Sequence, residues 1–232
     1  MHATPVECKT FKSDTCTIYD EYFKSSSQNK LLDKTSREGR KLAFVESGGL
    51  NGEPVNSMTE LFERKGWHGL VVEATPGNYV QIPYNRPCVS TIESAASPSW
   101  GPVEFFGWGG CCSGIKDAMS DGFIKAFHGK GPKSSILSYK VRSAPIVDIF
   151  VAWDKPFIDV WVLDVEGAEL FVLQGMDFKA VKVGMILIEI SEQPETAKLV
   201  DKMLQDAGFF RAKFNSWNNL NALYLNSAVW SV

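Results

Sequence analysis

The chain has 232 residues, of which 44% are hydrophobic and 22% charged, with a formal net charge of −3. That length accommodates one sizeable α/β domain around its own core, and the composition is that of a globular protein rather than a disordered or fibrous one. A slightly acidic chain has no basic field to hold a nucleic-acid backbone, and no apolar run reaches the roughly 18 residues of a membrane span, so nucleic-acid and membrane-spanning roles are set aside.

Five cysteines at irregular spacing (Cys8, Cys16, Cys88, Cys111, Cys112) contain no CxxC pair. Free thiols in a reducing, cytoplasmic setting are therefore expected, in agreement with an N-terminus that has no secretory-type apolar segment.

Residues 1–40 are polar and read as a leading helical or extended arm, followed by one domain over 41–232. The apolar run Lys41 to Val45 ends at Glu46 and the glycine-rich stretch Ser47-Gly48-Gly49-Leu50-Asn51-Gly52, a strand and tight loop. A helix follows over about Val55 to Lys65, with Met58, Leu61 and Phe62 on one face and Gly66 as its stop. Gly69 to Val72 is a second strand ending in Glu73, with a helix start near Gly77 and Asn78; Val89 to Ile92 is a third strand. Residues 97–135, rich in glycine and proline, read as an irregular insertion with one hairpin, placed to cover an acceptor site. Ser138 to Ser143 reads as an edge strand, followed by a helix over Ile146 to Ala152.

Asp159 to Leu163 is the strongest strand and ends in Asp164, followed by a helix from about Ala168 to Gln174. Met185 to Ile188 is apolar throughout, as in a strand buried on both faces, and ends in Glu189. A helix from Pro194 to Ala207 and two strand-like runs, Phe209 to Phe214 and Asn221 to Leu225, complete the chain around the polar turn Asn215 to Asn219. Alternation of this kind predicts a doubly wound, mostly parallel sheet with an antiparallel strand near one edge.

Ligands of such sheets bind at the carboxyl ends of the strands, where four acids stand: Glu46, Glu73, Asp164 and Glu189. Carboxylates at buried strand ends are costly unless they are used, so the four are expected to meet on one rim. The glycine loop does not match GxGxxG, but a strand, glycine loop, helix, strand and acid describe an adenosyl half-site, with Glu73 placed to accept ribose hydroxyls. At this point NAD and S-adenosylmethionine both remain open, as does a non-catalytic scaffold that has kept the fold.

Asp164-Val-Glu-Gly-Ala-Glu169, with Gly175-Met-Asp-Phe178 downstream, resembles the signature of FkbM-type methyltransferases. The resemblance extends over Phe44 to Gly52, Gly66 to Glu73 with Pro76 and Asn78-Tyr79, Glu93-Ser-Ala95 and Ile188-Glu189, roughly residues 25–95 and 140–190. It implies a Rossmann-like class I methyltransferase fold with a seven-stranded sheet, S-adenosylmethionine as cofactor, and O-methylation of a sugar, glycan or other small molecule. Carried over position by position, Glu46, Gly48 and Asn51 shape the methionine end of the pocket. Glu73 holds the ribose beside Ala74 and Asn78, and Glu93 and Ser94 lie near the adenine. The family has aspartate and alanine where this chain has Glu46 and Gly49.

Asp164 is expected to be the general base or, with Glu189, a ligand to Mg2+, Mn2+ or Ca2+. His128 in the insertion is a further candidate base, while first-turn charge stabilisation is the competing role for Glu166 and Glu169. An NAD-dependent sugar oxidoreductase or epimerase is disfavoured, since GxGxxG and a Tyr-x-x-x-Lys pair are missing.

Overall fold

The computed structural model describes residues 13–24, 40–107, 110–129, 138–155, 157–190, 194–214, 216 and 220–230. Most of the expected arm, parts of the insertion and most of the 215–219 turn lie outside these residues. Seven strands form the main sheet: β1 (Ala43–Ser47), β2 (His68–Glu73), β3 (Val89–Glu93), β8 (Phe157–Leu163), β9 (Lys182–Glu189), β10 (Phe209–Arg211) and β11 (Asn221–Asn226). Their order is β10-β11-β9-β8-β1-β2-β3. All pairs are parallel except those made by β11, which runs antiparallel to both β9 and β10. This is the Rossmann-like class I methyltransferase architecture.

The chain winds outward from β1 through β2 to β3, then returns to β8 and winds the other way, so the switch point lies between β1 and β8. Register fixes what meets there. Ser47 stands opposite both Val72 and Leu163, and Leu163 opposite Ile188. One residue further on, Gly48, Glu73, Asp164 and Glu189 therefore form a single row along the carboxyl edge. Glu46 sits two residues back from that row.

The strands are apolar on both faces because both are covered. Trp161, Leu163, Ile186 and Ile188 pack on one side against α6 (Ile146–Trp153), α7 (Glu169–Gln174) and α8 (Pro194–Asp206). Val160, Val162, Met185 and Leu187 point to the other face, where they meet Ile18, Phe62, Trp67 and Trp230. Ile18 belongs to α1 (Asp14–Ile18), which continues as a wider turn over Tyr19–Lys24. Ser13 caps α1 by accepting from Cys16 N at 3.2 Å, and Asp14 accepts from Ser216 Oγ and Asn221 Nδ2, both at 2.8 Å. The leading segment is thus fastened to the start of β11.

Two expectations change. The helix read over 55–65 is only α2 (Glu60–Arg64), because Glu46 draws the Met58 amide and the Ser57 and Thr59 hydroxyls to itself. The Met58 amide cannot then join a helical ladder. Ser138 to Ser143 is not an edge strand: β7 (Ser138–Pro145) lies inside a second sheet, between β4 (Ala95–Ser97) and β5 (Gly101–Phe106), with β6 (Gly114–Ile115) beyond β5. The described part of the insertion thus pairs across long sequence distance. Its glycines serve as strand ends, Gly101 at φ 137° opening β5 and Gly107 at φ 143° closing it. A short helix, α5 (Asp121–Phe123), and a wider turn over Ile124–His128 follow β6. Between β2 and β3 lie α3 (Pro76–Tyr79) and α4 (Ile82–Asn85).

Candidate active site

Between the carboxyl edge of the main sheet and the second sheet lies a cavity of about 770 Å3, counted to its open mouth. Its walls include Gly48, Leu50, Glu73, Ala74, Asn78, Ser94, Asp164 and Glu166 from the main fold, and Phe105, Cys111, Cys112, Ser113 and Ile115 from the insertion. Of the residues expected at the cofactor, Gly48, Glu73, Ala74, Asn78, Ser94 and Asp164 line it.

At Gly48 the backbone has φ +90°, and a Cβ there would lie 1.7 Å from the carbonyl oxygen of Asp164. The β1 and β8 loops can meet only through a glycine. Gly48 N and Gly49 N both donate to Val72 O, at 3.0 and 3.3 Å, which turns the loop toward β2. The Gly48→Ala variant is expected to lose about 2 kcal/mol or more, from left-handed backbone strain and the collision together, and with it nucleoside binding. Chemical denaturation and calorimetry check both, and wild-type values for either would contradict this geometry.

Glu73 is buried, yet its carboxylate is held by two amides, Leu50 N at 2.9 Å and Thr75 N at 2.7 Å, one on each oxygen. Burial pushes its pKa up while these donors pull it down. The Thr75 hydroxyl and the Asn78 carboxamide also bear on this carboxylate, an acceptor of the kind a vicinal diol needs. Asn78 Nδ2 donates to Gly110 O at 3.0 Å, joining this wall to the insertion. A more open recess continues past this contact, lined by Thr75, Asn78, Gln81, Gly110 and Tyr139.

The remaining predicted residues stand elsewhere. Glu46 is turned away from the cavity and accepts from Met58 N at 2.7 Å, Thr59 Oγ1 at 2.6 Å, Ser57 Oγ at 3.0 Å and Arg86 Nη1 at 3.2 Å. Asn51 spends its carboxamide oxygen on Glu53 N and Asn56 Nδ2, both at 3.2 Å. Glu93 is exposed at the edge strand. His128 is buried against Phe106 and Phe123 and bonds Cys112 O through Nε2 at 2.7 Å, so it buttresses the cavity wall from behind.

At the β8 and β9 ends four carboxyls gather: Asp164, Glu166, Glu169 and Glu189. Among the described residues no lysine or arginine forms an ion pair with any of them. Burial and then the Asp164 charge raise Glu166 to about 7. Burial likewise raises Glu169 to about 7, although it accepts Val165 N at 3.0 Å and Gly167 N at 3.2 Å. Burial raises both Asp164, to about 6, and Glu189, to about 9, and in Glu189 the Asp164 charge adds to it. The two titrate as one unit.

An acid whose folded pKa lies above its unfolded value of about 4.3 stabilises the fold most at low pH. That contribution is lost as pH rises through about 7, where Glu166 and Glu169 give up their protons. The thermal midpoint of the ligand-free protein is thus expected to fall between pH 5 and pH 8.5, and less so in Glu189→Gln. A flat or rising midpoint would contradict it.

One oxygen each from Asp164, Glu169 and Glu189 lies within 4.8 Å of the others, an all-oxygen donor set of the kind hard divalent cations take. Sequence reasoning named two of the three. Glu169 was missed as a ligand because its place in the first turn of α7 is equally that of a helix-capping acid.

A sequence model for the family described as Methyltransferase FkbM domain matches residues 46–210. No curated protein matches the chain. Among solved structures, the chain is similar to precorrin-6y C5,15-methyltransferase from Geobacter metallireducens at 13% identity, covering 81% of this chain and 80% of that one, with TM-score 0.41. It is similar to Aeropyrum pernix fibrillarin in complex with S-adenosyl-L-methionine at 13% identity, covering 92% and 74%, with TM-score 0.45. The Methanococcus jannaschii fibrillarin pre-rRNA processing protein matches at 12% identity over 82% and 67%, also with TM-score 0.45. No helix among the described residues is long and apolar enough to cross a membrane.

Proposed function

The chain belongs to the FkbM methyltransferase family, and from that premise we propose that it transfers the methyl of S-adenosylmethionine to a hydroxyl oxygen of a sugar, glycan or other small molecule. The observation that carries this reading is the row formed by Gly48, Glu73 and Asp164 along one wall of the cavity. It supplies a close-approach backbone, a diol acceptor and a base in that order. When bound, S-adenosylmethionine brings a sulfonium methyl open to in-line displacement.

The protein's own contributions are placement and proton removal. Glu73 holds the ribose, with Ala74 and Asn78 beside it and Ser94 at the adenine end. Asp164 accepts the acceptor's hydroxyl proton, with the Glu189 carboxyl close beside it. Phe105, Ile115 and Cys111 to Ser113 close the acceptor side, so the insertion sets specificity. Asp164 and Glu166 on the cavity wall, on a chain of net charge −3, disfavour a phosphodiester and favour a neutral polyol.

The three clustered carboxylates also support a second arrangement, in which Asp164 and Glu189, with Glu169, hold Mg2+ or Mn2+. Such an ion would lower the pKa of the acceptor hydroxyl.

Calorimetry with S-adenosylmethionine, S-adenosylhomocysteine and NAD tests the cofactor. Transfer of a labelled methyl to sugars, other alcohols and RNA, with and without Mn2+, tests the acceptor. Micromolar binding of both sulfur nucleosides and label in a sugar or alcohol are expected. Binding of NAD alone, or label only in RNA, would overturn the proposal.

A further inference from the structure

Arg86 is fully buried and takes no part in the chemistry above. It stands directly after α4, whose last residue, Asn85, donates through Nδ2 to Asn51 O at 2.9 Å. Arg86 Nη2 donates to Thr59 Oγ1 at 3.1 Å and Nη1 to Glu46 Oε2 at 3.2 Å, and the guanidinium also bonds Ser57 and Glu63. Two consecutive residues thus grip both ends of the 51–59 segment. That segment carries Asn56 on the cavity wall and continues directly from Gly48 and Leu50. Gly52 belongs to the same device, since a Cβ there would come 3.0 Å from Arg86 Cγ.

A buried ion pair adds little net stability over apolar side chains of the same volume, but it admits few arrangements of what it binds. Here one guanidinium fork meets β1 through Glu46, the loop through Ser57 and Thr59, and α2 through Glu63. We propose that Asn85 and Arg86 are positioning residues for the cofactor loop, and that Glu46 acts on the cofactor only through this clamp. The inference rests on the cavity taking the S-adenosyl group.

Asn85→Ala, Arg86→Lys and a control, Arg40→Met, decide it. Arg40 pairs with both Asp159 oxygens at 2.8 Å at the opposite ends of β1 and β8. S-adenosylhomocysteine affinity is measured by calorimetry, the midpoint by melting, and amide exchange in the ligand-free protein. Asn85→Ala is expected to weaken binding about tenfold at a nearly unchanged midpoint, and Arg86→Lys further. Both should speed exchange over residues 48–59 while β8 and β9 stay protected. Arg40→Met should lower the midpoint and leave affinity alone.

Affinities of the two clamp variants within about twofold of wild type would overturn the proposal, whatever their midpoints. Should Arg86→Lys fail to fold, Asn85→Ala still decides. Wild-type protein that does not bind S-adenosylhomocysteine would instead overturn the reading of the cavity, and this inference with it.

Discussion

Glu73→Ala is expected to weaken S-adenosylhomocysteine binding at least about a hundredfold, the largest single loss of affinity of any change at the cavity. Two charge-assisted hydrogen bonds to a ribose contribute about 1.5–3 kcal/mol each, and a hundredfold corresponds to only about 2.7 kcal/mol. The loss has a second source. Without the carboxylate, Leu50 N and Thr75 N have no acceptor on the cavity wall, so both segments that frame the nucleoside slacken. Glu73→Gln should fail nearly as badly, because its amide group would face a backbone donor on one side. Calorimetry reads the affinity and circular dichroism confirms the fold. An alanine variant that is folded and binds within fivefold of wild type would remove Glu73 from the site.

Much of this was legible in the sequence, for a local reason. Strand ends announce themselves where an apolar run meets an acid, and parallel register then aligns those ends without further information, as for Glu73, Asp164 and Glu189. Glu46 looks identical in the sequence, since it too terminates an apolar run. Only the extra residue of β1, Ser47, separates it from the row, and the partner that claims it, Arg86, lies far along the chain with no local pattern around it. His128 misled in a related way: glycine and lysine neighbours suggest a solvated loop, whereas pairing of β5 with β7 folds the insertion inward and buries the ring. Contacts of Phe105 with Tyr139, or of Cys112 with His128, depend on long-range closure that no periodicity encodes. The insertion side of the cavity was therefore the part least readable in advance.

Asp164→Asn is expected to lower turnover about 10²- to 10⁴-fold while S-adenosylhomocysteine affinity changes only a few-fold, since the amide keeps the shape of the wall and loses the base. The same residue is expected to set the pH profile. Burial and the neighbouring Glu46 charge raise its pKa, so the proton is lost well above the usual aspartate range. Activity should therefore rise with pH on its acid limb, later than an exposed aspartate would give. Glu189→Gln replaces a carboxyl that keeps its proton to about 9 with a neutral amide of the same size, so it should leave that limb nearly in place and spare most of the turnover. If Mn2+ held by Asp164, Glu169 and Glu189 is the activating species, the order reverses: Glu189→Gln becomes nearly as damaging as Asp164→Asn, and the wild-type profile steepens with added metal. Rates across pH for both variants, with and without Mn2+, separate the two arrangements, and full activity in Asp164→Asn would exclude both.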